Sequence, residues 1–169
     1  MKYPEEFMGR MRRIGTMAED LILILLLAAM ILLATTQIFL RNVLDMGLVW
    51  ADELVQVLVL WLALLGAMAA SRDDNHINID LLTRFLPPRL QLYSRMLCAA
   101  FTALVCGIIA WHAFRFVGME REFGTTLLGQ YPAWIFESII PLGFGLISYR
   151  YTLNFFNYLR RILTGEVEE

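Results

Sequence analysis

The sequence predicts an all-α membrane protein: a single domain, residues 1–169, of four transmembrane helices with short interfacial amphipathic helices and both termini in the cytoplasm. Three observations carry this expectation. The chain is 59% hydrophobic and only 18% charged, with a mean hydropathy of +0.60, whereas soluble domains are about half apolar and about a quarter charged. Its apolar residues gather into four blocks, each long enough to cross a hydrocarbon core of about 30 Å. Its Lys and Arg residues fall on alternate connections between those blocks, as the positive-inside rule requires.

The first helix is expected over about residues 18–40. Residues 21–34 carry no polar side chain, and about 23 residues at 1.5 Å each span about 35 Å. Arg10, Arg12 and Arg13 before it imitate the start of a secretory signal. The apolar block is too long for a signal core and no small-residue cleavage site follows, so the helix is expected to be retained. Phe7, Met11 and Ile14 share one helical face, with Arg10 and Arg13 elsewhere. That pattern fits a short interfacial helix or an ordinary loop.

The second helix is expected over 49–70. Asp52 and Glu53 occupy its first turn, where the helix dipole favours negative charge, and Arg41 closes the first helix, where it favours positive charge. In the next connection Leu81, Leu82, Phe85 and Leu86 oppose Asp80, Thr83 and Arg84, a second interfacial amphipathic pattern. Pro87-Pro88 ends what precedes it and opens the third helix, 89–117. The fourth is expected over 132–152, with Pro132 at its first position, a kink from Pro141 and a cytoplasmic extension to about 163.

Orientation follows from the basic residues. Lys2, Arg10, Arg12, Arg13, then Arg72, Arg84, Arg89, Arg95, then Arg160 and Arg161 fall on one side, joined by Arg150. Arg41, Arg115 and Arg121 fall on the other. The first side is therefore cytoplasmic, and Trp50, Tyr131 and Trp134 become anchors at the outer interface.

Function classes narrow in the same way. No basic stripe with interleaved aromatics is present, so no nucleic acid partner is expected. Cys98 and Cys106 lie about 12 Å apart along one helix, too far for a disulfide. His76 and His112 fall on opposite sides of the membrane and cannot share a haem iron. His76, with Arg72, belongs to the cytoplasmic loop. Phe155, Phe156 and Tyr158 read as interfacial packing, and Glu166, Glu168 and Glu169 as a solvated tail. The chain carries no phosphate loop, GxGxxG, Cys-x-x-Cys or Gly-x-Ser-x-Gly. No catalytic residue, metal ligand or cofactor is expected, and the protein reads as non-enzymatic.

Polar residues within the spans are the remaining candidates, because charge inside a membrane is costly. They lie toward the outer ends. Gln37 and Arg41 at the end of the first helix face Asp52, Glu53 and Gln56 at the start of the second, across a short connection. Arg41 and Glu53 are expected to pair, with Gln37 and Gln56 as a second polar layer. The set reads as an interhelical clamp or as a docking surface for another protein. Glu137 lies four residues before Pro141. It is expected to pair with Arg115 or Arg41; the alternative, a cation site beside a freed carbonyl, ordinarily gathers more oxygens.

Specific residues carry a resemblance. Phe39-Leu40-Arg41-Asn42 closes the first helix, and Trp50-Ala51-Asp52-Glu53-Leu54 opens the second, which contains Trp61-Leu62-Ala63-Leu64-Leu65-Gly66-Ala67. Arg72, His76-Ile77-Asn78-Ile79-Asp80-Leu81-Leu82 and Leu86-Pro87 follow, then Ile140-Pro141-Leu142-Gly143 and Arg150. The chain resembles the small membrane subunit of tripartite ATP-independent periplasmic (TRAP) transporters, the DctQ-like family, over nearly its whole length. The resemblance is most specific from Arg41 to Pro87 and weak in the third helix. It departs at Asp74, where such proteins often carry Gly or Asn; Asp also tolerates turn conformations.

The resemblance implies a multi-pass protein of the bacterial inner membrane. It implies a scaffold that binds a large multi-helix membrane subunit holding the substrate and sodium sites. A periplasmic substrate-binding protein would deliver an organic acid anion to the assembly. Two rival readings are a haem-binding or electron-transfer membrane anchor, which needs paired histidines at facing depths, and a small autonomous channel or exporter, which needs ionisable groups at mid-depth. The topology is testable: Gly124→Cys should react with a membrane-impermeant maleimide in intact cells, and Gly165→Cys only after permeabilisation. The opposite labelling would overturn the charge argument.

Overall fold

The computed structural model describes residues 3–72 and 88–164. His76 and the amphipathic segment 80–86 lie outside the described residues. The elements are α1 (Tyr3–Val43), α2 (Val49–Ala70), α3 (Pro88–Phe123), β1 (Thr126–Leu127), β2 (Tyr131–Pro132), α4 (Ala133–Glu137) and α5 (Ile139–Thr164).

Helix α1 is one continuous rod of 41 residues, about 61 Å long. The expected separate N-terminal interfacial helix is therefore corrected: its backbone runs straight into the apolar stretch. Pro4 sits in the first turn, where its missing N–H costs nothing, and no later proline interrupts the helix. α1 ends where Asp45 takes a left-handed φ of 49°, a conformation that Asp tolerates better than most residues. Leu44 N–H closes on the Leu40 carbonyl at 3.0 Å.

Helix α3 outruns its expected end at residue 117 and continues to Phe123, since residues 118–123 include good helix formers. Gly124 stops it with a φ of +67°, and its N–H bonds to the Glu120 carbonyl at 3.1 Å. A short antiparallel hairpin follows, pairing Thr126 with Pro132 and Leu127 with Tyr131. These two-residue strands are the only extended pairing among the described residues of an otherwise helical chain. Pro132 belongs to it and caps α4 from outside rather than opening the helix.

The expected kink falls at Ser138, which keeps helical dihedrals (φ −59°, ψ −20°). α4 stops at Glu137 and α5 begins at Ile139, with Ser138 between them. Pro141 has no N–H to offer the Glu137 carbonyl, which fixes the kink where it lies.

Three helices are long and apolar enough to cross a membrane, over Glu19–Val43, Trp50–Ala70 and Leu90–Phe123. α5 is a fourth long helix. The kink shares its apolar sequence with α4 and Arg150 interrupts it, so it falls short of that measure. Most large apolar side chains face outward. Leu32, Leu97 and Phe101 are 68%, 70% and 68% exposed.

Helix α1 lies antiparallel on α2, and the broadest packing is between α3 and α5. Small residues make that seam. Ala99 is buried with Ile147 and Tyr151, flanked by Ala103 and Cys106. Ser148 Oγ–H donates to the Ala103 carbonyl at 2.8 Å. A Cβ on Gly107 would stand 3.2 Å from Ser148 Oγ, and one on Gly143 would stand 3.5 Å from Leu64 Cδ2. Close backbone approach of this kind is how helices associate in lipid. Gly107→Leu should therefore cost about 1–3 kcal/mol through overpacking, read as a lower thermal transition of the detergent-solubilised protein. Gly66→Ala, with nothing within 4 Å of the added Cβ, should leave the transition unchanged or slightly raised.

Candidate functional site

The polar side chains tie elements together, chiefly at the two ends of the bundle. At the end holding the α1–α2 turn, Gln37 reads the backbone of Leu48 on both sides. Its Nε2 donates to the Leu48 carbonyl at 3.1 Å, and its Oε1 accepts the Leu48 N–H at 3.4 Å. Nε2 also reaches Asp52 Oδ1 at 3.4 Å. One amide thus fixes the turn and the first residues of α2 against α1. The expected meeting of Gln37 with the opening of α2 is found, with Asp52 rather than Gln56 as the partner. Gln56 is exposed and makes no described bond with Gln37.

Glu53 does not pair with Arg41. Its Oε2 accepts the N–H of Leu128 at 2.6 Å, which anchors the β1–β2 turn to α2. Leu128 has a φ of 55° and Gly129 a φ of 80°. Gly129 adopts this freely, while for Leu128 the left-handed conformation costs about 1–2 kcal/mol. A charge-assisted hydrogen bond holds the strained residue in place. Arg41 is exposed beside Asp45 and Asp52 on the rim of an open pocket. The Arg41–Glu53 pair is therefore corrected: the carboxylate is already taken by a backbone donor.

Glu137 meets neither expected partner. Its Oε2 is buried without a hydrogen bond among the described residues. Arg115 is on the exposed side of α3, and α1 with Arg41 packs on α2. Two aromatic residues make ties nearby. Trp61 Nε1–H donates to the Phe136 carbonyl at 3.0 Å, in the last turn of α4. The Arg121 guanidinium lies 5.5 Å from the Trp134 ring centroid, a cation–π contact between α3 and α4.

At the opposite end Arg72 bonds Glu19 Oε2 at 2.7 Å, with Asp20 Oδ1 at 3.8 Å, joining the end of α2 to α1. Arg150 Nη1 donates to the Met68 carbonyl at 2.6 Å and to Ser71 Oγ at 3.2 Å. Ser71 Oγ–H itself donates to the same carbonyl at 2.7 Å. A cation from α5 thus closes the C-terminus of α2, where the dipole is negative. Sequence reasoning missed the roles of Glu19, Ser71, Trp61 and Leu128. Trp61 had left a signal, since an indole N–H in an apolar span requires an acceptor.

These ties lie largely within a segment shared with other proteins. Residues 30–161 match the profile of the DctQ component of tripartite ATP-independent periplasmic transporters. The chain belongs to this family. It is a DctQ-like TRAP small membrane subunit, a transporter component. It is 33% identical over 122 residues to the C4-dicarboxylate TRAP transporter small permease protein DctQ of Rhodobacter capsulatus, a match covering 72% of this chain and 52% of that protein. The chain thus spans about half the length of that relative. It is 27% identical over 154 residues to the sialic acid TRAP transporter small permease protein SiaQ of Vibrio cholerae, covering 90% and 88% of the two chains. It is also 27% identical over 124 residues to the sialic acid TRAP transporter permease protein SiaT of Haemophilus influenzae, covering 70% of this chain but 20% of that protein.

The Glu53 tie in this TRAP subunit is open to a direct check. Glu53→Ala should destabilise the solubilised protein by about 1–2 kcal/mol, and adding Leu128→Gly should restore part of the loss by removing the backbone strain. Arg41→Ala should change stability by less than about 0.5 kcal/mol. A larger Arg41 effect in thermal unfolding would return it to the clamp.

Proposed function

We propose that this TRAP small permease is a non-catalytic scaffold of four transmembrane helices: α1, α2, α3 and the α4–α5 pair. It lies in the bacterial inner membrane with both termini cytoplasmic. It anchors a large multi-helix permease subunit that carries the substrate and sodium sites. The assembly takes up an organic acid anion delivered by a periplasmic binding protein.

The observation that carries this reading is the use of the polar side chains. Gln37, Glu53, Trp61, Arg72 and Arg150 each bond to another element of the same chain. Groups engaged in this way hold a frame rigid, whereas a translocation path needs ionisable groups facing a cavity at mid-depth. Glu137 adds support for a partner, since a buried carboxylate oxygen without a donor is costly until something satisfies it. The comparison with SiaT supports the kind of partner, because a segment like this chain makes up a fifth of a longer permease. The C4-dicarboxylates and sialic acid named for the relatives are organic acid anions.

Co-production with the cognate large permease subunit should give a stable equimolar complex. Proteoliposomes holding both, with the binding protein outside, should accumulate an organic acid down a sodium gradient, and either subunit alone should not. Uptake by the small subunit alone would overturn the scaffold reading.

A further inference from the structure

A groove with a charged mouth and apolar walls lies between α1 and α5, with α2 as its floor. Its volume is about 220 Å³. α1 and α5 share no substantial packing of their own, so its two walls are joined through α2.

The polarity runs the same way along the groove on both walls. Glu19 of α1 and Arg150 of α5 lie at the mouth, and Ile22, Leu23, Leu65 and Leu146 line the part about one helical turn further in. The mouth also coincides with the ends of two apolar stretches. Glu19 is the first residue of the stretch in α1, and Ala70 is the last of the stretch in α2.

The opposite charges at the mouth do not pair with each other. Glu19 Oε2 takes Arg72 at 2.7 Å, and Glu19 Oε1 accepts no hydrogen bond among the described residues. Both described bonds of Arg150 leave from Nη1, so Nε and Nη2 keep donors for another acceptor. Asp20 stands beside Arg72 at 3.8 Å. Two arginines thus balance two carboxylates, and the mouth carries no net charge.

These properties select an occupant. A cavity of about 150 Å³ walled by Leu, Ile and Phe takes up benzene, so this groove holds a run of several methylenes. One turn of a helix with its side chains is about 10–12 Å across and fills about 400–600 Å³, too much to enter. A bare hydrocarbon would leave Arg150 unused, and a net anionic head group would meet the carboxylates. A zwitterion offers phosphate oxygens to the Arg150 fork and N–H donors to the carboxylates, both charge-assisted.

We propose that this groove binds one phospholipid whose head group carries a primary ammonium. The phosphate sits on Arg150 Nε and Nη2, the ammonium on Glu19 and Asp20, and the first methylenes of one chain lie between Ile22 and Leu146. The bound lipid is then a link between α1 and α5 that the protein does not make for itself. The site lies wholly within this chain, so its failure would leave the scaffold reading untouched.

The test offers the full chain in mild detergent three lipids in turn: phosphatidylethanolamine, phosphatidylcholine and phosphatidylglycerol. Native mass spectrometry counts what stays bound. Phosphatidylethanolamine should remain as one molecule per chain. It should exceed phosphatidylcholine, which has no ammonium N–H, by about ten-fold, the effect of one charge-assisted hydrogen bond. Anionic phosphatidylglycerol should also bind more weakly. Leu146→Trp fills the groove from a position 40% exposed and leaves both charges in place; it should lower retention several-fold. Leu104→Trp, on the outer side of α3 and 61% exposed, should not. Arg150→Lys keeps a cation for the end of α2 but gives up the fork, and should lower retention as well. The variants are compared once their lipid-free thermal transitions match the wild type. Equal retention by wild type and Leu146→Trp overturns the site, and equal retention of the three lipids overturns the head-group assignment. A photoreactive benzoylphenylalanine in place of Leu146 should crosslink to phospholipid in cells. Crosslinking to a protein instead overturns lipid as the occupant.

Discussion

Helix α2 is the member to which the rest of the chain is tied, and its bonds matter because lipid is as apolar as the helices it surrounds. Without a hydrophobic force between them, helices in a bilayer associate through close packing and interhelical hydrogen bonds. At one end of α2, Gln37 holds the preceding backbone and Asp52, while Glu53 holds the β1–β2 turn. Along its length Trp61 reaches α4. At its other end Arg150 reaches in from α5, and Arg72 reaches out to α1. These bonds fix both ends of one rod, so they set the tilt of its neighbours as well as their proximity.

The second mode of association works between α3 and α5. Ala99, Ala103 and Gly107 let the two backbones approach, and Ser148 bonds across the gap. Among the described residues, α1 shows no such seam. Leu21, Ile24, Leu25 and Leu32 face outward, and the helix is held chiefly through its packing and end ties on α2. The resulting assembly is open, with far more apolar surface exposed than a soluble protein of this size tolerates. Lipid accounts for that surface only within the thickness of the bilayer.

Particular residues show what was legible in the sequence. Pro141 announced the kink between α4 and α5, since the missing N–H acts locally and needs no tertiary information. Gln37 and the opening of α2 were legible as a meeting point because a short turn forces adjacency. The Arg41–Glu53 pair was not, because adjacency does not set rotation about each helix axis. Glu53 turned instead to Leu128, 75 residues away, through a hairpin too short to show a strand periodicity. The pairing of Glu137 with Arg115 failed for the same reason: Arg115 lies on the exposed side of α3.

The sequence by itself determined the existence and approximate extent of the long helices, the kink before Pro141, the family and the absence of charge from the middle of the spans. These follow from composition, periodicity and backbone chemistry, all of which act within a few residues. Only the tertiary structure decided which polar groups meet. It gave Glu53 to a strained turn, Arg150 to the end of α2, Arg72 to Glu19 and Trp61 to the Phe136 carbonyl. Those choices depend on the rotation and axial offset of one helix against another. In a bilayer these are set by small residues and a few end bonds rather than by a continuous apolar stripe, so no periodicity along the chain records them.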